Sequence, residues 1–248
     1  TYKYNKFIGT LINELPFLFP DNLIATKVVQ SLIKNYTKDE FKEVKLAAAF
    51  ATDLYALWST KKITKMEDFK GMKIRVAGRG WKNVISKWGA TAVSLGPGDM
   101  YMALERGTVD AVIYSVTGGY GWKLQEVCPH VVKLDAQLVV GTLILNQKTW
   151  NKLPDDIQKL LENELHPALV DLVGKTYFNY SQKIWSELKD KGKMIDLSDD
   201  MKEKLRLTAQ PVWDDWIMKA LAKGYPAKKM MADLKKMLKE YSTSHRGE

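Results

Sequence analysis

Between Met72 and Tyr114 the hydrophobic period changes repeatedly, and that alternation restricts the chain to few folds. Met72-Lys-Ile-Arg-Val-Ala77 alternates as a strand does, and Gly78-Arg79-Gly80 closes it. Trp81, Val84, Ile85 and Trp88 then fall at helical spacing, with Gly89 where a C-terminal cap belongs. Thr91-Ala-Val-Ser94 reads as a short strand, and after Gly96-Pro97-Gly98 the expected N-cap Asp99 opens a helix through Met102, Ala103 and Leu104 that stops at Gly107. Val109-Asp-Ala-Val-Ile-Tyr114 is a third strand. Strand, helix, strand, helix, strand in this order predicts a βαβαβ unit, which calls for a parallel sheet and an α/β fold.

Beyond this unit, Gly141-Thr-Leu-Ile-Leu-Asn146 predicts a strand, and Leu153-Pro154-Asp155-Asp156 a helix start with proline in the first turn and acids at the positive end of the dipole. The helical period continues through Ile157, Leu160, Leu161, Leu165, Leu169 and Leu172 to Ile184, Trp185 and Leu188, interrupted by Pro167. A helix over 155–190 would reach about 50 Å, longer than a small domain is wide. It is therefore expected to bridge two domains with a kink near Pro167. Two further helices are expected over 199–222 and 226–241.

No stretch approaches the roughly 18 continuous apolar residues of a membrane span. The net charge of +9 could signal a nucleic-acid face, so its location matters. Residues 61–75 carry six Lys/Arg against two Asp/Glu and 181–248 carry 15 against 11, whereas 76–180 balance at ten each. In the C-terminal part the bases interleave with acids, as at Lys202, Glu203, Lys204 and Arg206, which describes solvated helix faces. Nucleic-acid binding through Lys61, Lys62, Lys65, Lys70 and Lys73 is the weaker reading, and no nucleic-acid partner is expected.

Signals for chemistry are sparse. His130, His166 and His245 are far apart and show no metal-ligand spacing, so no metal is expected. Gly78-Arg79-Gly80 lacks the third glycine of a dinucleotide fingerprint, Asn83 standing in its place, and no cofactor is expected. Cys128, the single cysteine, precedes Pro129-His130 but reads as a buried, inert thiol at a helix end. Arg75 is different. It lies near the carboxyl end of a presumed central strand, where a guanidinium keeps its proton and must meet an anion. Ligands of open α/β sheets bind outside those strand ends, so the anion is either a ligand carboxylate or a structural partner such as Asp110.

Several segments resemble the extracytoplasmic solute receptors of TRAP transporters. They are Glu67-Asp-Phe-Lys-Gly-Met-Lys-Ile-Arg-Val76, Trp88-Gly-Ala90 with Val93, and Tyr101-Met-Ala-Leu-Glu-Arg-Gly-Thr-Val-Asp-Ala111. Glu14-Leu-Pro-Phe-Leu-Phe19, Thr149-Trp-Asn-Lys-Leu-Pro154 and Gln210-Pro-Val-Trp213 match as well, in order, from about residue 9 to 241. The resemblance implies a type II periplasmic binding protein of two α/β lobes with a long connecting helix. Residues 1–52 plus 141–180 would form lobe one and 53–140 plus 181–248 lobe two, closing about a hinge near 52–53, 140–141 and 180. It further implies a monomeric, periplasmic, non-enzymatic receptor that captures a small organic acid and docks on TRAP membrane permease subunits. Only 14 residues precede Leu15, so this sequence is expected to omit an N-terminal part of lobe one.

By the same resemblance, Arg75 falls on the family's signature arginine, which pairs with a ligand carboxylate. A second position, often arginine, is Tyr55 here, and a third, often asparagine, is Tyr114 with Ser115 beside it. Trp81 completes the candidate ligand-binding set. These departures disfavour C4-dicarboxylates and sialic acid. One cation with two tyrosines suits a monocarboxylate whose remainder is aromatic or apolar. The alternative is an α/β enzyme acting on a small carboxylic acid, with Arg75 binding the substrate and Cys128 or a histidine doing the chemistry.

Overall fold

The computed structural model describes residues 6–77 and 80–244. Gly78 and Arg79 of the expected turn, and His245, lie outside the described residues. Among the described residues there are eight strands: β1 (Val44–Ala51), β2 (Tyr55–Ser59), β3 (Lys73–Arg75), β4 (Thr91–Val93), β5 (Ala111–Ser115), β6 (His130–Lys133), β7 (Val140–Asn146) and β8 (Met194–Asp196). They form a two-stranded sheet, β1-β7, and a six-stranded sheet in the order β4-β3-β5-β2-β6-β8.

The chain divides into two compact units, one of Thr1–Thr52, Leu138–Phe178 and Asp215–Glu248, the other of Asp53–Gln137 and Asn179–Asp214. This differs from the expected lobes mainly in the C-terminal segment, which belongs with the first unit. Two contacts explain the difference. The Trp216 Nε1–H donates to the Ile8 carbonyl at 2.8 Å, and the Tyr36 hydroxyl donates to Asp233.

In the first unit, Asp21 caps the helix Asn22–Leu32, its Oδ1 accepting from the Ile24 N–H at 2.8 Å. That helix packs on antiparallel β1-β7 through a core that includes Val29, Ile33, Phe41, Ala49 and Val140. The buried Glu40 carboxylate accepts from the Gly9 and Thr10 N–H groups at 2.7 and 3.0 Å and from the Tyr225 hydroxyl at 2.8 Å, joining the start of the chain to its C-terminal helices. The expected long helix is a run of three pieces: Asp155–Leu160, a wider π turn over Leu161–Leu165, and His166–Asp190. Proline cannot donate to the preceding turn, and the widened turn lies just ahead of Pro167.

In the second unit the expected βαβαβ pattern is present. β3 pairs in parallel with β4 and with β5, and the helices Gly80–Lys87 and Met100–Glu105 fill the crossovers. Gly89 and Gly107 both adopt positive φ, at 75° and 68°, as C-terminal caps require. The sheet is mixed rather than wholly parallel, because β2 inserts antiparallel between β5 and β6. Asp99 does not cap by its side chain; it sits inside a short 3-10 turn, Pro97–Asp99, that leads into the helix. The expected helix over 199–222 is two, Asp199–Thr208 and Gln210–Ala222, parted where Pro211 withholds its N–H. The core gathers Trp58, Met100, Leu104, Val112, Leu124, Ile184 and Leu188. Gly119 is required there, since a β-carbon on it would lie 2.3 Å from the Trp58 ring. No described helix is long and apolar enough to cross a membrane.

Candidate functional site

Parallel strands β3 and β5 bring their carboxyl ends to the same edge of the sheet, and antiparallel β2 brings its first residue there. Arg75 is the last residue of β3, Tyr114 and Ser115 end β5, and Tyr55 begins β2 opposite Ser115. Register sets Tyr55 opposite Ser115 and Arg75 opposite Val112, two residues before Tyr114, so strand pairing brings four of the five candidate residues into one neighbourhood and the side chains make the contacts.

Arg75 is 3% exposed. Its Nε–H donates to the Leu95 carbonyl at 3.0 Å, and its guanidinium carbon lies 5.4 Å from the centre of the Tyr114 ring. The Tyr55 and Tyr114 rings tilt against each other at 5.7 Å. The Arg75 Nη1 is buried and has no hydrogen-bond partner. Among the described residues no carboxylate lies within ion-pair distance of Arg75, so Asp110 is not its partner. Asp110 instead pairs with Lys61 at 2.7 Å and accepts from the Lys73 N–H at 2.8 Å. Burial alone would raise the Asp110 carboxyl, but these two bonds outweigh it and hold the group below its ordinary value. For Arg75, burial lowers the guanidinium's hold on its proton while Tyr114 and Tyr55 strengthen it. An arginine remains charged throughout, which leaves a desolvated cation with an open donor.

Ser115 caps the helix Val116–Gly121, its Oγ accepting from the Gly118 N–H at 3.1 Å. Trp81 is placed differently from the other four. Its buried indole lies edge-on to Trp88 at 6.0 Å and donates to the Gln137 side chain, while the Tyr55 N–H donates to the Gln137 carbonyl at 2.7 Å. Trp81 thus reaches the tyrosines through the backbone and side chain of Gln137.

Sequence reasoning missed Gln137 and the pair Asp53 and Thr117. Asp53, 1% exposed, accepts from the Thr117 N–H at 2.8 Å and the Thr117 hydroxyl at 2.7 Å. Burial raises its carboxyl pKa, partly offset by those bonds. The signal available was an acid directly before an apolar strand, Asp53 ahead of Ala56-Leu57-Trp58, but nothing in the sequence pairs it with Thr117.

Cys128 is fully buried, and burial pushes its thiol up to about 12, so a thiolate is scarce at neutral pH. His166 lies near Trp150 and Lys45, and burial followed by the Lys45 charge lowers its pKa. No group of His, Cys, Asp and Glu among the described residues could hold a metal ion.

A family model described as DctP, bacterial extracellular solute-binding protein, family 7, matches residues 2–219. A Haemophilus influenzae protein is 31% identical over 158 residues, 60% of this chain and 46% of its own length. The chain spans about half the length of the curated relatives it matches. Among solved structures, a TRAP periplasmic solute-binding protein from Desulfovibrio salexigens superposes with a TM-score of 0.87 at 26% identity, covering 97% of this chain and 75% of that one. A marine-metagenome TRAP solute-binding protein specific for aromatic acid ligands, in complex with 3-hydroxybenzoate, superposes with a TM-score of 0.84 at 21% identity, covering 97% and 77%.

Proposed function

We propose that this chain, which belongs to the bacterial extracellular solute-binding proteins of family 7, acts as the periplasmic receptor of a TRAP-type transporter. It binds a small organic acid through the ligand's carboxylate on Arg75, changes no covalent bond, and delivers the acid to a membrane permease.

The observation that carries this reading is the buried Arg75 Nη1 without an acceptor. A desolvated donor on a permanent cation is costly unless an anion completes it, and a carboxylate offers two oxygens of matching geometry. With Nε committed to the Leu95 carbonyl, the ligand approaches the terminal nitrogens.

The ligand class follows from the neighbours of Arg75. Other solved structures of this fold carry ligands as different as benzoate, mandelate, L-malate and malonate, so the choice rests on this chain's own residues. Tyr55 and Tyr114 present aromatic faces and hydroxyls where a second carboxylate would need a cation. A monocarboxylate with an aromatic or apolar remainder fits that surface.

Isothermal calorimetry on the protein freed of copurified solute tests the class, using benzoate, 3-hydroxybenzoate, mandelate, pyruvate, L-malate and malonate. An aromatic monocarboxylate is expected to bind most tightly. Tighter binding of either dicarboxylate would overturn the proposed ligand class.

A further inference from the structure

We infer that Asp53 is a positioning residue for the carboxylate site, holding Tyr114 where its ring meets Arg75. The inference rests on the reading of Arg75 given under Proposed function and adds a specificity determinant to it.

The first turn of a helix leaves backbone N–H groups without intrahelical partners. In the helix Val116–Gly121, two of these are taken by side chains. Asp53 accepts from the Thr117 N–H and Ser115 from the Gly118 N–H. Asp53 also accepts from the Thr117 hydroxyl, so its two oxygens grip one residue from two sides. That grip fixes the start of the helix to the residue that leads into β2.

The consequence reaches the binding surface through Gly118. A β-carbon at Gly118 would lie 2.6 Å from the Ser115 Oγ and 2.7 Å from the Tyr114 ring, so helix backbone and ring are already in close approach. Where the helix begins therefore decides where the Tyr114 ring rests. The ring also meets Tyr55, two residues after Asp53, at 5.7 Å between centroids. Asp53 thus ties together the two segments that carry the two tyrosines. A side chain of the same shape with an acceptor toward the Thr117 N–H would serve.

The test compares Asp53→Ala with Asp53→Asn in the full chain, by ligand-free crystal structure and by calorimetry with benzoate and acetate. Asp53→Ala is expected to shift the Tyr114 ring from its place beside Arg75 and to weaken benzoate by about tenfold, with acetate changed less than about twofold. Asp53→Asn, which can keep both bonds to Thr117, is expected to restore the ring position and benzoate affinity. If Asp53→Ala does not fold, Thr117→Val, which deletes only the hydroxyl bond, is expected to show the same selective loss at smaller size. An unmoved ring, or equal loss of benzoate and acetate, would overturn the inference. Should the wild type bind neither acid, that would count against the Arg75 reading, and the ring position in Asp53→Ala would still decide the role of Asp53.

Discussion

The Arg75 guanidinium lies 5.4 Å from the centre of the Tyr114 ring, Arg75 ending β3 opposite Val112 and Tyr114 lying two residues further along β5. The ring's negative face supports the cation on one side and leaves Nη1 unbonded. Replacing Tyr114 by Phe keeps that face, whereas Leu removes it. Tyr114→Leu is expected to lose about 0.5–2 kcal/mol of affinity for an aromatic acid, with Tyr114→Phe losing less, as measured by calorimetry. Equal loss in both variants would mean that the hydroxyl, not the ring face, carries the interaction.

Gly119 tests the packing beneath the site. Gly to Ala inside a helix ordinarily gains up to about 1 kcal/mol. Here the added methyl would meet the buried Trp58 ring at 2.3 Å, and overpacking of that kind costs about 1–3 kcal/mol. Gly119→Ala should therefore lower the urea midpoint; an unchanged or higher midpoint would show that Trp58 has room to move.

Cys128 bears on the enzymatic alternative. With its thiol pushed up to about 12, native protein at pH 8 should react with a thiol reagent far more slowly than the urea-unfolded chain. Labelling of native protein at the unfolded rate would contradict the burial described and return Cys128 to consideration as a nucleophile.

Asp53 predicts a pH dependence with a definite sign. Burial raises its carboxyl above the ordinary 3.8, so between 3.8 and the raised value the folded state binds more protons than the unfolded state. Stability from this group is then fully present below 3.8 and declines as pH rises through that window. Asp53→Asn, which does not ionise, should remove this decline. Urea unfolding of both proteins at pH 4 and pH 7 checks it, and parallel pH profiles would contradict it.

The sheet that bears the site was legible from the sequence because its cues are local. Alternation at Met72 to Ala77, the glycines at 89 and 107, and the apolar run after Val109 set β3, β4 and β5, whose parallel pairing puts Arg75 beside Val112, two residues before Tyr114. The antiparallel insertion of β2 was not legible, because its partners β5 and β6 lie far along the chain and no turn signal links them. Placement of 215–248 with the first unit rests on single contacts such as Trp216 to Ile8, 208 residues apart, which carry no periodic trace. Of the proposed site, Tyr55, Arg75 and Tyr114 come from family resemblance. The grip of Asp53 on Thr117 was not legible, since it joins residues 64 apart through side-chain geometry.

The central claim is that Arg75 receives a ligand carboxylate. Calorimetry of the wild type and Arg75→Ala with the tightest-binding aromatic monocarboxylate tests it most directly. Removing one member of a buried charge pair costs about 2–5 kcal/mol, so affinity should fall by about thirtyfold to several thousandfold while the thermal midpoint of ligand-free protein holds. Undiminished affinity in Arg75→Ala would contradict the account.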